Sequence, residues 1–383
     1  MKVLQLTHNY PSETDGTEGI FIHRINCALT EKVDISVIVL KPIFQFPKVR
    51  EKYKIDGITV YVINYFRPRG RFLNSLDGVF MLSAIHIVKK IVKSVDLVHS
   101  HWQTDSGILG NYISKTFKIP HIVSVRGARI FDKSKKSIYG LISNSVFRRA
   151  KLIHTHGNNI YAKLIKKYQI PVSKLKWIPN VIFDKTNLES ILKVNIQKNV
   201  NQSNKTFLFI GLDGKNKGLL DAVKSFTKAK NENHHLNIVT NTKSKFYNRK
   251  IKPIIYGKRN ITVFSKTLQE NIIKLFSTTD VFLFPSYAEG SPNVVLEAMV
   301  SGCYIICYNI EGIENLIIHN QNGRLVDQGN VTLLTKEINL FLSDKMTKCT
   351  KKYRDYNYKY ILDNYNIDSV IREYISMYKG IEE

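Results

Sequence analysis

Two carboxylates offer the clearest chemistry in this chain. Glu289 and Glu297 stand eight residues apart, the first in a Gly-containing loop and the second in the sequence of a short helix. An ionised carboxylate only accepts hydrogen bonds, so it suits the donating hydroxyl groups of a sugar or a ribose. The pair therefore indicates a site for a ligand that is rich in hydroxyl groups.

The residues around this pair predict the elements that position it. The apolar run 280–284 predicts a buried strand. Ser291 predicts the N-cap of the following helix, Pro292 its first residue and Gly302 its end. Ligands of open α/β sheets bind at the carboxyl ends of strands, and the N–H groups of a first helical turn favour an anion. The unit thus predicts a loop that binds an anion bearing hydroxyl groups.

The chain is long and strongly basic. Its 383 residues suffice for two domains, and its hydrophobic share of 43% is ordinary for a globular protein. The formal net charge is +26, and residues 1–180 carry +18 of it, from 29 Lys and Arg against 11 Asp and Glu. A basic surface attracts nucleic acid, anionic lipid or phosphorylated substrates, and charge alone does not choose among them.

Short β-branched runs alternate with helical stretches along the chain, and one helix is predicted over roughly 77–94. This alternation predicts parallel sheets that are covered by helices, in two successive series. The polar stretch 184–204 lies between the two series and predicts a connection. We therefore predict an N-terminal domain over 1–183, a C-terminal domain over 184–365 and a final helical segment over 366–383.

The cysteines and the apolar stretches indicate in which cellular compartment the protein is expected. Cys303 and Cys307 flank an apolar run, which predicts core positions rather than disulfides, and the four cysteines show no metal-ligand spacing. The most apolar stretch, 78–88, is too short to span a bilayer, and the first residues lack the shape of a signal peptide. We expect a cytoplasmic protein, soluble or peripherally bound at the inner face of the cytoplasmic membrane.

The segment around the two carboxylates resembles the donor-site signature of the retaining glycosyltransferases of family 4, which carry Glu, seven residues and Glu. Phe-Pro-Ser at 284–286, Glu-Gly-Ser-Pro at 289–292 and Leu-Glu-Ala at 296–298 add to the resemblance. It covers nearly the whole chain and is strongest in the second domain. It implies the GT-B architecture, an α/β fold with two Rossmann-like domains facing across a cleft, and a last helix that packs back on the first domain.

The loop 211–218 resembles a second family motif, which reads Gly-Arg, four residues, Lys-Gly. In the family these cations neutralise the nucleotide diphosphate, including the charge that grows as the sugar leaves. Lys217 and Gly218 match the motif, but Leu212 stands where the family has Arg. We hypothesise that Lys215 supplies the missing charge.

Three segments of the first domain also resemble family positions. Gly16 and Gly19 lie in a loop that resembles the one near the donor diphosphate. Arg126 stands where many relatives have His-Gly, and it is either a phosphate ligand or a surface arginine. His99 and His101 end another strand, where the family often has a histidine in the cleft; a structural role is favoured over general acid–base catalysis.

The resemblance implies roles for the donor-side residues. Glu297 would hold the nucleotide ribose, Glu289 the donor sugar hydroxyls and Lys217 the diphosphate, with Arg126 as a further catalytic cation. No protein nucleophile is assigned. The chain contains no Asp-x-Asp, so we expect neither a metal nor another cofactor. The other donor-binding residues that the resemblance implies are Gly290, Ser291, Pro292, Asn293, Val294, Gly16, Gly19, Gly211 and Lys215.

The expected function is transfer of a sugar from a nucleotide-sugar, with a weak resemblance to UDP-sugar enzymes, to a lipid-linked or saccharide acceptor. A polyprenyl-diphosphate-linked saccharide at an anionic membrane surface would account for the basic first domain, where 65–73 and 85–93 mix apolar and basic residues. The pathway would build O-antigen, capsule or exopolysaccharide. Two alternatives remain: a nucleotide-sugar epimerase of the same fold, and a nucleic-acid-binding protein, which charge suggests but no recognisable motif supports.

Overall fold

The computed structural model describes residues 1–12, 18–44, 48–68, 76–126, 137–180, 204–212, 214–230, 232–265, 269–314, 316–343 and 350–381. The chain divides into two compact units. One comprises Met1–Val181 together with Ile367–Glu383, and the other comprises Ile182–Asn366. Within the described ranges, no helix is both long enough and apolar enough to cross a bilayer.

The N-terminal unit is built on an eight-stranded sheet. Its strands are β1 (Lys2–Thr7), β2 (Asp34–Ile43), β3 (Val49–Ile55), β4 (Ile58–Phe66), β5 (Leu97–His101), β6 (His121–Val125), β7 (Leu152–Thr155) and β8 (Leu175–Trp177). They lie in the order β3-β4-β2-β1-β5-β6-β7-β8. All neighbouring pairs are parallel except β3 and β4, which form an antiparallel hairpin.

Helices cover both faces of this sheet, as its buried apolar strands require. They are α1 (Ile20–Leu29), α2 (Asp77–Met81), α3 (Ile85–Val92), α4 (Gly107–Phe117), α5 (Ile138–Arg149) and α6 (Asn158–Tyr168). Successive side chains of a strand point to opposite faces. Val3 of β1 accordingly shares a core with Tyr374 of the last helix, whereas Leu4 and Leu6 share one with Val88 of α3.

The C-terminal unit contains a six-stranded sheet whose neighbouring strands are all parallel. Its strands are β9 (Thr206–Ile210), β10 (His235–Val239), β11 (Ile261–Phe264), β12 (Val281–Phe284), β13 (Tyr304–Tyr308) and β14 (Gly323–Val326). The helices are α7 (Leu219–Lys228), α8 (Lys252–Ile255), α9 (Gln269–Thr278), α10 (Asn293–Val300), α11 (Val331–Phe341) and α12 (Thr350–Asn364), and α13 (Ile367–Lys379) closes the chain in the N-terminal unit. Cys303 and Cys307 are 1% and 0% exposed, so their predicted core positions are confirmed.

Each sheet has one topological switch point, where the chain leaves neighbouring strands in opposite directions. In the N-terminal sheet it lies between β1 and β5, and in the C-terminal sheet it lies between β9 and β12. Crevices at the carboxyl ends of strands at such points bind ligands in open α/β folds. The loops that carry Gly19 and Lys217 follow β1 and β9, so both begin at a switch point.

The structure differs from the sequence-based expectation in two elements of the N-terminal unit. The strand β3 was not expected, because its residues are mostly polar and exposed at the edge of the sheet. The helix expected over 77–94 is divided by a 3-10 turn, Leu82–Ala84. There the hydroxyl of Ser83 accepts a hydrogen bond of 2.9 Å from the N–H of Phe66, which draws the turn toward the end of β4.

Candidate active site

Two loops meet at the switch point of the C-terminal sheet. The loop 211–218 follows β9, and the loop 285–292 follows β12. The N–H of Tyr287 donates to the carbonyl of Asn216 at 3.0 Å, and the hydroxyl oxygen of Ser286 lies 3.4 Å from the same carbonyl oxygen. The hydrogen bond and this contact hold the loops side by side at the carboxyl edge of the sheet.

Gly218 permits this close approach. It precedes α7 with a φ of 73°, and a Cβ at this position would lie 1.8 Å from the carbonyl oxygen of Pro285. Glycine alone adopts this left-handed conformation without a steric penalty and leaves room for the neighbouring backbone. The Lys-Gly pair of the sequence therefore has a structural reason, because the glycine brings the loops together directly after Lys217.

The meeting of the loops places Lys217 against Glu289. Lys217 Nζ lies 2.5 Å from Glu289 Oε1, and the Ser286 hydroxyl donates to the same oxygen at 2.8 Å. The Glu289 side chain is 10% exposed, and that of Lys217 is 33% exposed. A lysine has three donors and a carboxylate has two oxygens, so both groups keep hydrogen-bonding capacity for a ligand.

Helix α10 positions Glu297, which is 8% exposed. The N-cap of this helix is Pro292, so the predicted cap at Ser291 and the predicted first helical residue Pro292 are each wrong by one residue. Proline suits the cap because its extended conformation leads into the helix and its missing N–H needs no partner. Gly302, with a φ of 70°, follows the C-cap and ends the helix as predicted.

The residues expected to surround the donor lie in this loop and in the first turn of α10. Gly290 and Pro292 are buried, whereas Ser291, Asn293 and Val294 are half-buried. The first N–H groups of an α-helix have no intrahelical acceptor, and the helix dipole favours negative charge beside them. This turn therefore adds partial positive charge to the edge that carries the Lys–Glu pair.

A further network that sequence reasoning missed braces the loop after β12. Asp221, in the first turn of α7, accepts hydrogen bonds from Tyr287 at 2.6 Å and from Tyr308 at 2.9 Å. Gln328 Nε2 donates to the Tyr287 carbonyl at 2.7 Å. The hydrogen bond to Asp221 raises the pKa of Tyr287 to about 12, so the phenol stays protonated at neutral pH. The signal available in the sequence was an acidic residue three positions after the Lys-Gly motif.

Leu212, which stands where the family motif has Arg, is exposed to solvent in the structure. Leu212 is 44% exposed, and Lys215, three residues later, is also exposed. Gly211 is tightly packed, since a Cβ there would lie 2.7 Å from Lys217 Cβ. The substitution of Arg by Leu therefore removes a charge without filling the core, and the compensating role of Lys215 stays a prediction.

The first-domain loop that resembles a diphosphate loop is described in part. Gly16 lies outside the described residues. Gly19 precedes α1 with a φ of 65°, and a Cβ there would lie 2.3 Å from the carbonyl oxygen of Asn9. This glycine lets the loop fold back against the end of β1, so α1 begins at the switch point of the N-terminal sheet.

Arg126 is 7% exposed, so the alternative of a surface arginine is wrong. Its Nε donates to His101 Nδ1 at 3.1 Å, and its Nη1 donates to Asn180 Oδ1 at 3.2 Å. The guanidinium also lies 4.6 Å from the ring centre of Phe21. Burial lowers its pKa to about 10, which leaves it charged at neutral pH. Among the described residues Nη2 makes no hydrogen bond of good geometry, although the Tyr374 hydroxyl interacts with the guanidinium and supports its charge, so this nitrogen can still turn to an anion.

His99 and His101 are held in a hydrogen-bond network. His99 Nε2 lies 2.7 Å from the Ser124 hydroxyl. His101 accepts from Arg126 at Nδ1, so its Nε2 carries the proton and donates to Gln5 Oε1 at 3.1 Å. Burial lowers the pKa of both imidazoles well below the usual range. Both rings are therefore neutral near pH 7, as the structural role predicts.

Three other buried histidines, His121, His154 and His156, were missed, and His154 extends this network. Ser124 Oγ lies 2.7 Å from His154 Nδ1, so the network crosses three neighbouring strands. Burial lowers the pKa values of His121 and His154 to about 3. Both ring nitrogens of His156 lack a hydrogen-bond partner within the described chain. The repeated His-x-His, at the end of β5 and again at the end of β7, was the signal in the sequence.

The fold and the site together define a class of protein. Two Rossmann-like domains built on parallel sheets form the GT-B fold, and the C-terminal one carries a Lys–Glu pair beside a helix N-terminus. Residues 193–360 match the family model described as glycosyl transferases group 1. The chain is a glycosyltransferase.

Relatives that align over most of the chain are consistent with this class. The chain is 24% identical to an uncharacterized glycosyltransferase of Methanocaldococcus jannaschii, over 99% of this chain and 98% of that one. It is 23% identical to TuaC of Bacillus subtilis, named as a teichuronic acid biosynthesis glycosyltransferase, over 84% of each chain. It is 25% identical to the N,N'-diacetylbacillosaminyl-diphospho-undecaprenol alpha-1,3-N-acetylgalactosaminyltransferase of Campylobacter jejuni, over 83% of this chain and 84% of that one.

Solved structures share the fold at low sequence identity. HepE of Anabaena, in complex with UDP and glucose, superposes with a TM-score of 0.75 at 17% identity, over 99% of this chain and 100% of that one. Sucrose-phosphate synthase of Thermosynechococcus elongatus superposes with a TM-score of 0.76 at 15% identity, over 100% of this chain and 99% of that one. At these identities the comparison concerns the fold.

Proposed function

We propose that this glycosyltransferase is a retaining enzyme of family 4, which moves a sugar from a nucleotide-sugar to a lipid-linked or saccharide acceptor in surface polysaccharide biosynthesis. The contact between Lys217 and Glu289 at the switch point of the C-terminal sheet carries the proposal. A cation suits a diphosphate, and an adjacent carboxylate suits sugar hydroxyls. A nucleotide-sugar has this connectivity, because its diphosphate adjoins its sugar.

Each donor-side residue has a distinct role in the proposed complex. Lys217 Nζ and the first-turn N–H groups of α10 bind the diphosphate, Glu289 accepts from sugar hydroxyls, and Glu297 accepts from ribose hydroxyls. Negative charge grows on the leaving phosphate oxygen as the sugar departs. Lys217 therefore binds the transition state more tightly than the ground state, which lowers the barrier. We propose that these groups need no metal ion in this step.

The proposed reaction exchanges one bond to the anomeric carbon for another. The bond to the phosphate oxygen breaks, and a bond to the acceptor oxygen forms on the same face of the sugar. The acceptor hydroxyl proton passes to an oxygen of the departing phosphate, so no protein base is needed. The state of His99 and His101 supports this route. Their buried rings are engaged in hydrogen bonds, which argues against either of them as the base.

The acceptor is inferred from the relatives and from charge. The name of the Campylobacter enzyme contains a diphospho-undecaprenol acceptor, and TuaC is named for teichuronic acid biosynthesis. We propose a polyprenyl-diphosphate-linked saccharide for this chain as well, bound by the basic N-terminal domain. Arg126, with one nitrogen left for an anion, is the candidate ligand of the acceptor or donor phosphate.

A surface on the N-terminal domain suits the anionic membrane that such an acceptor implies. Ile138 and Leu141 of α5 are 59% and 58% exposed. Other residues of α5, together with α4, line a cavity of about 450 Å³, and its lining includes Lys115 and Arg149. Exposed apolar residues next to cations favour insertion at the boundary between acyl chains and anionic headgroups.

Thermal stabilisation by nucleotides tests the donor site. We expect UDP, in about 100-fold excess over its Kd, to raise the Tm by roughly 5–10 °C, because ligand binding to the folded state contributes about 2.7 kcal/mol. Glu297→Ala removes the ribose acceptor and should abolish most of this shift. Glu232→Ala is the matched control, because Glu232 is exposed and precedes β10, at the opposite edge of the same sheet.

Two outcomes of this measurement would contradict the proposal. Stabilisation by UDP, GDP and ADP that survives in Glu297→Ala would place the nucleotide elsewhere, and no stabilisation by any nucleotide-sugar would remove the donor site. The stereochemical part is tested separately by the NMR coupling constant of the anomeric proton in the product. A product with the donor's anomeric configuration supports retention, and an inverted product excludes it.

A further inference from the structure

Three metal-ligating side chains converge on the N-terminal domain, outside the candidate active site. His23 and Cys27 are four residues apart on α1, so they lie on one face of that helix. Asp56 begins the two-residue turn that joins β3 to β4. Asp56 and Gly57 have φ values of 47° and 79°, the left-handed pair of a type I′ turn, which fixes the aspartate against the helix.

The three ligand atoms lie near the separations of a tetrahedral site. His23 Nε2 lies 2.8 Å from Asp56 Oδ2 and 3.4 Å from Cys27 Sγ, and Cys27 Sγ lies 3.9 Å from Asp56 Oδ2. Zinc bonds of about 2.0 Å to nitrogen and oxygen and about 2.3 Å to sulfur separate tetrahedral ligands by about 3.3–3.6 Å. Movements of roughly half an ångström would therefore bring all three atoms onto one ion.

The second ring nitrogen of His23 also has a hydrogen-bond partner, as in histidines that bind a metal. His23 Nδ1 lies 3.0 Å from the Tyr10 hydroxyl, which accepts from Asn26 Nδ2 at 3.1 Å. Histidines that bind a metal through one nitrogen typically hydrogen-bond through the other, and this contact fixes the ring. Tyr10 and Asn26 are 3% and 0% exposed, so the support of the ring is rigid.

Solvent reaches the site from one side. The His23 side chain is 7% exposed and that of Asp56 is 67% exposed, so an ion can enter past the turn and keep a water as its fourth ligand. One nitrogen, one sulfur and one oxygen favour zinc, whereas magnesium and calcium prefer oxygen ligands alone.

We propose that His23, Cys27 and Asp56 form a zinc site that clamps the β3–β4 hairpin to α1. The Cys27 thiol gives its proton to solvent as the sulfur binds, and Nε2 of neutral His23 and the Asp56 carboxylate complete the protein ligands. The clamp would act on the helix that starts at Gly19. It does not depend on the proposed donor chemistry, which belongs to the other domain.

Cobalt substitution tests the site on the full chain after removal of metals with a chelator. We expect one equivalent of Co²⁺ to give a sulfur-to-cobalt charge-transfer band with the intense visible absorption of a tetrahedral ion, and Zn²⁺ to displace it. Cys27→Ser should remove the charge-transfer band, and Asp56→Asn should weaken Zn²⁺ binding by at least about tenfold. His86→Ala is the matched control, because His86 is exposed on α3 of the same domain.

A second measurement distinguishes a real site from a damaged fold. Bound Zn²⁺ should protect Cys27 from alkylation, read by peptide mass mapping, while circular dichroism verifies that each variant is folded. The proposal is overturned if folded wild-type protein gives no charge-transfer band. It is equally overturned if the band persists in Cys27→Ser, or if His86→Ala weakens Zn²⁺ binding as much as Asp56→Asn does.

Discussion

Lys217 is oriented by the protein before any donor is present. Glu289 holds its ammonium group, Ser286 holds the carboxylate, and Gly218 fixes the backbone next to it. A preorganised cation needs little reorganisation as charge develops on a leaving group, which is the origin of its catalytic effect. The residue scale therefore predicts that Lys217 affects kcat more than donor affinity.

Replacing Lys217 by Met keeps most of the side-chain volume and removes the charge. We expect kcat to fall about 10²–10³-fold, as when one transition-state donor is lost, with a smaller change in KM. Lys224→Met, on the exposed side of α7, is the control and should leave both constants unchanged. Steady-state kinetics with the identified donor give the answer, and a change confined to KM would assign Lys217 to ground-state binding.

A second prediction at the residue scale concerns Leu212 and Lys215. Both side chains are exposed, so Leu212→Arg should restore the family's cation without disturbing the core. We expect Lys215→Ala to lower kcat/KM about tenfold, and Leu212→Arg to recover that loss in the double variant. Kinetics of the four combinations measure the coupling. If Lys215→Ala leaves the rate unchanged, the hypothesis of a replaced charge fails.

At the scale of elements, the start of α7 holds the two loops of the candidate active site together. Gly218→Ala would place a methyl group 1.8 Å from the Pro285 carbonyl oxygen and force the loops apart. Gly257→Ala is a matched control, because Gly257 has a similar φ of 75° with nothing within 4 Å of its Cβ position. We expect about 1 kcal/mol of destabilisation at Gly257 and at least about 3 kcal/mol at Gly218.

Urea unfolding and nucleotide binding separate these two effects. Both alanines suffer the cost of a left-handed backbone, so the difference between them isolates the clash with the loop after β12. Gly218→Ala should also lose nucleotide stabilisation, whereas Gly257→Ala should keep it. Equal losses in the two variants would show that the close approach at Gly218 is unimportant.

The buried histidines of strands β5, β6 and β7 make the free energy of unfolding depend on pH. Burial lowers the pKa of His121 to about 3, whereas an unfolded histidine titrates near about 6.5. The unfolded chain therefore binds more protons between these values, so this contribution to stability is complete above about pH 6.5 and declines as the pH falls. Each such histidine lowers the free energy of unfolding by about 1.4 kcal/mol per pH unit in this window.

His121→Gln tests this contribution, since the two hydrogen-bond partners of His121, Asn111 and Ser100, are neutral. The variant should be less stable than wild type at pH 7.5, and its deficit should shrink by about 1.4 kcal/mol per pH unit below pH 6.5. His86→Gln, at an exposed position, should show a constant difference. Urea unfolding from pH 7.5 to 5.0 makes the comparison, and a deficit independent of pH would contradict a neutral buried His121.

The elements show how far sequence reasoning reaches in this fold. Parallel strands buried on both faces are continuous apolar runs, so β9 and β12 can be predicted together with the loops that follow them. The edge strand β3 could not be predicted, because its polar residues are ordered by pairing with β4. The histidine network was missed for a related reason, since it depends on which residues become neighbours across the sheet.

The contacts of the candidate active site also divide into features that the sequence predicts and contacts that it does not. The Lys-Gly motif and the two glutamates are visible in the sequence, but the 2.5 Å contact between Lys217 and Glu289 joins positions 72 residues apart. The bracing of Tyr287 by Asp221 spans 66 residues. Such contacts follow from the strand order, which brings β9 beside β12, and local patterns carry no information about that order.

At the scale of the whole molecule, charge is distributed unevenly along the chain. Residues 1–180 carry 29 Lys and Arg against 11 Asp and Glu, which gives +18 of the net +26. Each cation close to an anionic membrane contributes about 1 kcal/mol of attraction, and salt screens this within about 8 Å at physiological ionic strength. Long-range attraction followed by apolar insertion is therefore the expected mode of membrane binding.

Vesicle binding tests this expectation and separates the electrostatic attraction from the apolar insertion. We expect the protein to sediment with vesicles that contain anionic lipid but not with neutral vesicles, and 1 M salt to release most of it because the Debye length falls to about 3 Å. The double variant Ile138→Asp, Leu141→Asp should bind at least about tenfold more weakly, since it places charge on the apolar surface of α5. Val172→Asp, at a position that is 61% exposed, controls for the added acid on the same domain. Equal weakening by Val172→Asp would reduce the effect to net charge, and unchanged binding of the double variant would locate the membrane contact away from α5.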